Sequence, residues 1–331
     1  MQALRSRWTR LLATAGLLLA VAAAHAAPQP TQYSFTPVSV PGFEGSALFG
    51  INNAGQTVGY VYDGNGPSRA IVGTPGAYNL LTGPSGAIGA WGMGISEGGE
   101  VVGSYYSTEV VDPETGELVP GPAQGFILSG GEHTIVGSAA SDTYLRAISP
   151  NGRYVTGYTV TAEGLQGFVL DRSTSATTVI GTGTSVLIPQ GVTDNGLVVG
   201  SDRILGAGAA GRVGFTFDVH TGVRQDYAHP GVLRTAFRDI NAHGTIAGWA
   251  TTADGIVGLL GTPGSFITIA YPGAVNTWLE GLNDQGWLVG GYDLGDGVFH
   301  AFVARPVPEP ATWGLMAGGL VLLLAARRRR A

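Results

Sequence analysis

One short stretch constrains this chain more than any other feature, because it keeps returning. It first reads Ile51-Asn52-Asn53-Ala54-Gly55-Gln56-Thr57-Val58-Gly59-Tyr60. Later copies are Ile95-Ser96-Glu97-Gly98-Gly99, Ile148-Ser149-Pro150-Asn151-Gly152, Val192-Thr193-Asp194-Asn195-Gly196, Ile240-Asn241-Ala242-His243-Gly244 and Leu282-Asn283-Asp284-Gln285-Gly286. Each is followed by an apolar run containing a second glycine: Gly59, Gly103, Gly157, Gly200, Gly248 and Gly290. The pattern predicts a strand, a tight turn and a second strand. Pro150 presets φ at a turn position, and the turn glycine takes the left-handed conformation that closes the turn. The Asn, Ser or Thr before the turn can bond its own backbone two residues on.

The turn glycines stand 44, 53, 44, 48 and 42 residues apart. Periods of that size suit a four-stranded propeller blade. A third strand is expected at Gly125-Phe126, Gly167-Phe168, Gly214-Phe215 and Ala301-Phe302, and a fourth at residues 77–81, 133–136, 177–180, 224–227 and 266–269. The sixth copy has no fourth strand of its own. Residues 33–40 align with the fourth strands that precede Pro230-Gly231 and Pro272-Gly273, so the N-terminus is expected to complete the last blade and remove the open edges. The expected fold is an all-β, six-bladed propeller closed by its N-terminal strand. An open array and another closed β fold are the alternatives.

Three regions divide the chain. Residues 1–26 read as a signal peptide: Arg5, Arg7 and Arg10, an apolar run, then Ala24-His25-Ala26 as a small-x-small cleavage site. Residues 27–306 form the repeat domain. It holds ten arginines, no lysine and 22 acids, a formal charge of about −12. That balance excludes a nucleic-acid partner and disfavours adhesion to anionic membrane. With no cysteine anywhere, disulfides, thiolate metal sites and a cysteine nucleophile are excluded. Residues 307–331 are a tail: Val307, Pro308, Glu309 and Pro310, an apolar segment at 311–326, then Arg327, Arg328, Arg329 and Arg330. The segment is expected to form a short transmembrane helix whose arginines stay cytoplasmic.

Several motifs tempt. Gly94-Ile95-Ser96-Glu97-Gly98 spells a hydrolase elbow, but no helix follows, and Ser96 occupies the turn position of Asn52 and Ser149. Gly206-Ala207-Gly208-Ala209-Ala210-Gly211 spells a dinucleotide fingerprint within a hairpin loop. No histidine pair has the H-x-x-x-H spacing of a zinc site. Oxygen ligands at alternate positions suit calcium, so Asp63, Asn65, Asp293 and Asp296 are the metal candidates, although the terminal Glu of a full calcium loop is missing. The acidic insertion at 107–124 reads as a solvated loop. Trp91, Trp249, Trp278 and Trp287 read as core, with sugar stacking open to any whose indole faces a rim.

The tail looks like the PEP-CTERM sorting signal, with its Pro-Glu-Pro motif, short membrane helix and basic terminus in order. The resemblance implies a protein exported by a Gram-negative bacterium that makes exopolysaccharide. It further implies a transient membrane anchor, processing by exosortase near residues 308–310, and delivery to the cell surface or extracellular matrix. The body resembles the extracellular HAF-repeat proteins through His300-Ala301-Phe302, and that resemblance carries over no catalytic residue. The expectation is a non-catalytic binding or structural scaffold with no cofactor. Exopolysaccharide or an envelope protein would be its partner. The alternatives are a polysaccharide-active enzyme and a calcium-dependent adhesin.

Overall fold

The computed structural model describes residues 32–307 apart from 65, 116, 139–140, 163, 182–184 and 205–210. The signal region and the membrane segment of the tail lie outside these residues, as do Asn65 and most of the Gly/Ala loop. One compact unit spans Phe35–Arg305; the other comprises Met1–Ser34 and Pro306–Ala331. In the second, the Val307 N–H donates to the Gln32 carbonyl at 2.9 Å. Among the described residues every regular element is a β-strand, and no helix is long and apolar enough to cross a membrane.

The chain enters on β1 (Tyr33–Val38). Then β2 (Gly45–Ile51), β3 (Thr57–Tyr62), β4 (Arg69–Thr74) and β5 (Ala77–Leu80) form an antiparallel sheet in that order. The next period gives β6 (Gly89–Ile95), β7 (Val101–Tyr106), β8 (Glu109–Val111), β9 (Leu118–Pro120), β10 (Gln124–Ser129) and β11 (Glu132–Val136). Its sheet runs β11-β10-β7-β6, and β8 and β9 pair separately. The acidic insertion, expected as a plain loop, thus forms a hairpin. Then come β12 (Thr143–Ile148), β13 (Tyr154–Thr161), β14 (Gly164–Asp171) and β15 (Ala176–Ile180), again in order.

The following two periods share a sheet. β16 (Ser185–Val192), β17 (Leu197–Ile204), β18 (Arg212–Asp218) and β19 (Arg224–Tyr227) make one antiparallel half. β20 (Arg234–Ile240), β21 (Ile246–Thr251), β22 (Ile256–Thr262) and β23 (Ser265–Ile269) make the other. A parallel bridge between Arg212 and Arg234 joins them into eight strands. The last sheet combines β24 (Asn276–Leu282), β25 (Leu288–Asp293) and β26 (His300–Pro306) in the order β1-β26-β25-β24. The first strand therefore lies beside the last. The arrangement is all-β and propeller-like, with four separate four-stranded blades beside the eight-stranded sheet.

The repeated turns explain the repeated letters. Gly55, Gly99, Gly152, Gly196, Gly244 and Gly286 all have φ between 74° and 80°, where a side chain would be strained. The polar residue that opens the turn reaches further than expected. Asn52 Oδ1 accepts the Gln56 N–H at 3.0 Å, Ser96 Oγ that of Glu100 at 3.0 Å, and Asn283 Oδ1 that of Trp287 at 2.9 Å. These bonds run four residues on and close the turn against the next strand. The two-residue bond occurs as well, at Asn241 to His243 and Asn283 to Gln285.

The second glycine of each repeat has a different reason. A Cβ at Gly59, Gly103 or Gly290 would fall within about 2 Å of the carbonyl oxygen of Ala47, Trp91 or Trp278 on the neighbouring inner strand. Every inner strand is also bulged. The register slips between Leu48 and Gly50, Gly92 and Gly94, Leu145 and Ala147, Pro189 and Gly191, Phe237 and Asp239, and Leu279 and Gly281.

Each sheet packs on the next in chain order. Val58 and Ala70 pack with Ile95, Val101 and Phe126; Val102 and Ile127 with Leu145 and Ile148; Tyr154 and Val169 with Leu187 and Phe215; Val199 with Phe237 and Ile240. A further cluster unites Leu48, Ile51 and Ile71 of the first sheet with Val38, Val289, Ala301 and Val303 of the last.

Candidate functional site

The bulges re-aim one residue per inner strand. The residues skipped by the register are Phe49, Met93, Arg146, Gln190, Arg238 and Glu280, and all six line one narrow space of about 40 Å³. That volume admits water and no sugar ring. Within it Arg238 pairs with the buried Glu280. Arg146 donates from Nε to Gln190 Oε1 at 2.9 Å, and among the described residues no carboxylate pairs with it. Burial first, and then the nearby Arg238 charge, push the Arg146 guanidinium down to about 10.

On the turn side of this space sits Asp239, where the other repeats carry Gly50, Gly94, Ala147, Gly191 and Gly281. Its carboxylate accepts the Ile240 N–H at 2.8 Å and the Leu282 N–H at 3.1 Å. Burial nevertheless pushes it up to about 7, with Asp284 adding to the rise.

On the side away from the turns the space opens into a cavity of about 280 Å³. Tyr60, Trp91, Tyr144 and Tyr158 supply flat faces, Ser104 a hydroxyl, and Arg146 reaches it from below. Tyr144 and Tyr158 stack at 5.0 Å between centroids, and Phe49 stacks on Tyr60 at 5.7 Å. Burial raises the phenols of Tyr60 and Tyr158 and pushes Tyr144 up to about 12, so all three stay neutral and able to donate. Outside the lining, Asp142 Oδ1 accepts the Ala123 N–H at 2.6 Å and the Tyr144 hydroxyl at 3.5 Å. An aromatic-walled cavity with a cation at its base can hold a planar or ring-shaped ligand that carries negative charge.

The metal candidates singled out from the sequence lie elsewhere. Asp63 Oδ1 lies over Gly66. Asp293 accepts the Gly295 N–H at 2.6 Å and the Asn276 amide at 3.1 Å, and Asp296 pairs with His300 at 2.9 Å. Among the described residues no three His, Asp or Glu side chains group to hold a metal. Ser96 Oγ serves its turn. Of the four tryptophans, Trp91 reaches the cavity; Trp278 packs on Phe299, and Trp287 and Trp249 lie under Arg305 and Arg212. Val307 is described, whereas Pro308, Glu309, Pro310 and Arg327 to Arg330 lie outside the described residues. Sequence reasoning missed the six bulge residues. Their signal is positional: each stands three places before the polar residue that opens its turn.

The chain is thus an all-β protein of propeller-like build with an aromatic cavity. Residues 306–330 match the family model described as the PEP-CTERM protein-sorting motif. The motif implies export, membrane anchoring through the C-terminus and processing by exosortase. The match covers the tail alone and does not reach the body, whose expected likeness to HAF-repeat proteins it leaves unsupported. No curated protein matches the chain. Among solved structures, TolB from Acinetobacter baumannii is 12% identical, with 77% of this chain and 65% of that one covered and a TM-score of 0.49. The β-propeller domain of the Trilobed protease from Pyrococcus furiosus is 7% identical, with 82% and 97% covered and a TM-score of 0.48. The SapL1 lectin, solved with α-methyl fucoside, is 13% identical, with 81% and 98% covered and a TM-score of 0.49. At these scores the likenesses carry no argument about activity or ligand.

Proposed function

We propose that this chain is an exosortase-sorted protein of the cell surface or exopolysaccharide matrix. In this reading it acts as a non-catalytic scaffold that binds saccharide in the aromatic cavity. Its body is a six-bladed propeller closed by the N-terminal strand. The six-blade reading is supported by the two antiparallel halves of the eight-stranded sheet and by the core shared between first and last sheets. The observation that carries the binding role is the cavity itself: about 280 Å³, walled by Tyr60, Trp91, Tyr144 and Tyr158. Aromatic faces take up the C–H face of a sugar ring while the phenols supply hydrogen bonds.

The enzyme alternative would draw on Asp239 and Glu280. Glu280 is tied to Arg238, Asp239 holds two backbone N–H groups, and the space beside them is too small for a sugar ring. The adhesin alternative would draw on Asp63, Asp293 and Asp296, and the carboxylates of Asp293 and Asp296 are already engaged by close neighbours. Both considerations favour the scaffold.

The test is calorimetric titration of the full chain, held in detergent, with the host's exopolysaccharide, followed by measurement of polymer length. Saturable heat with unchanged length is the expected result. A shortened polymer would contradict the non-catalytic reading, and absence of heat would contradict binding.

A further inference from the structure

We propose that the cavity receives a single carboxylate-bearing sugar ring, a hexuronate residue of an acidic polysaccharide. Arg146 takes its carboxylate, and Tyr60, Trp91, Tyr144 and Tyr158 take the ring. The proposal rests on the binding reading above and names its ligand class.

Charge is the first argument. The repeat domain is strongly acidic, yet the base of this cavity is cationic. Of the two arginines at the bulge positions, Arg238 is neutralised by Glu280, and Arg146 has only the Gln190 amide, bonded through Nε. Its terminal amino groups form no hydrogen bond or ion pair with the described residues. A guanidinium left this way presents a fork that matches the two oxygens of a carboxylate.

Cost is the second. A guanidinium held in a narrow space and repelled by a neighbouring arginine opposes folding. The equivalent positions show what the packing alone accepts: Phe49, Met93 and Gln190 line the same space without charge. An arginine at Arg146 therefore brings nothing to the packing that a neutral side chain would not, and it fits a ligand that supplies the missing anion.

Size and wall chemistry are the third. The cavity lies just below the ~300–1,000 Å³ of drug-sized ligand sites, which suits one ring rather than a chain segment. The neutral phenols can donate to ring hydroxyls, and the Trp91 and Tyr144 faces can cover the apolar side of a pyranose.

The experiment titrates the full chain in detergent with sodium D-glucuronate, D-glucose and sodium acetate. Glucuronate is expected to bind saturably, with glucose and acetate each about 10–100-fold weaker, the range set by one charge-assisted contact. Arg146→Gln is expected to bring glucuronate down to the glucose level without lowering the melting temperature. Arg146→Lys, which keeps the charge and loses the fork, is expected to fall between the two. Equal binding of glucuronate and glucose, or a preference that survives Arg146→Gln, would overturn the carboxylate assignment. Acetate binding as tightly as glucuronate would overturn the sugar assignment. If the host polymer binds while glucuronate does not, only this proposal fails; if neither binds, the scaffold reading fails with it.

Discussion

Asn53 and Asp284, 231 residues apart, exchange two hydrogen bonds. Asn53 Nδ2 donates to Asp284 Oδ2 at 2.8 Å, and the Asp284 N–H donates to Asn53 Oδ1 at 2.9 Å. They stand at the same place in the first and last turns. The same contact, always from one turn to the following one, recurs along the chain. The Asn53 N–H bonds the Glu97 carboxylate, the Glu97 N–H bonds the Pro150 carbonyl, the Asn151 N–H bonds Asp194, and the Ala242 N–H bonds Asp284. Among the described residues no such bond runs from Asp194 to Ala242, which has no side-chain acceptor. Asp284 thus ties its own turn to both neighbours. Asp284→Ala is expected to lower stability by about 1–2 kcal/mol in urea titration, as loss of charge-assisted bonds from the Ala242 N–H and the Asn53 amide should. Asp284→Asn, which keeps one acceptor, is expected to recover part of that.

A glycine pressed against a carbonyl tolerates no Cβ. At Gly200 a Cβ would lie 2.3 Å from the Ile188 carbonyl oxygen and 2.7 Å from the Phe215 ring. Gly200→Ala must shift an inner strand or a core phenylalanine, at a cost of about 2–4 kcal/mol. Thermal unfolding checks this, and a melting point equal to wild type would show that the bulge is softer than its geometry implies.

Asp239 makes stability fall with rising pH. Folding raises its pKa to about 7, above its ordinary value near 4, so the folded state keeps a proton that the unfolded chain has released. Stability from this group is full below about pH 4 and is lost as pH climbs through 7. Asp239→Ala gives this position the residue found at Ala147. It is expected to flatten the stability profile between about pH 4 and pH 7, read by chemical denaturation at several pH values.

Glu100 acts in the opposite direction. Its two oxygens each bond Arg172 at 3.0 Å, and that bond holds its carboxyl below the usual range. Its contribution is present above the unfolded pKa and is lost as pH falls through the folded one. Because the pair is partly open to solvent, Glu100→Gln is expected to cost only about 0.5–1 kcal/mol at pH 7, and nothing once the carboxyl is protonated.

The letters that repeat reveal the fold; the letters that vary within the repeat hold the site. Gly55 and its equivalents announce turns because only a left-handed residue closes them. The Gly–Phe letters of the third strands were legible too, whereas the register that sets Gly103 opposite Phe126 came only with the structure. Arg146 was not legible as a site residue. Read along a regular strand, its alternation places it without regard to the bulge, and a bulge leaves no mark in composition. Tyr60, Trp91, Tyr144 and Tyr158 come from three periods and four strands, so only the packing of neighbouring sheets brings them together. The acidic loops drew attention through their charge, yet Asp293 and Asp296 spend it on Asn276, Gly295, Val298 and His300.

The most direct measurement compares exopolysaccharide binding by the full chain with that of Trp91→Ala and Tyr144→Ala, by calorimetry in detergent. Aromatic side chains that anchor a ligand commonly cost 2 kcal/mol or more when truncated. The account therefore predicts that each variant binds at least about tenfold more weakly while unfolding at nearly the same temperature. Binding unchanged in both variants would place the ligand elsewhere and contradict the assignment of the aromatic cavity.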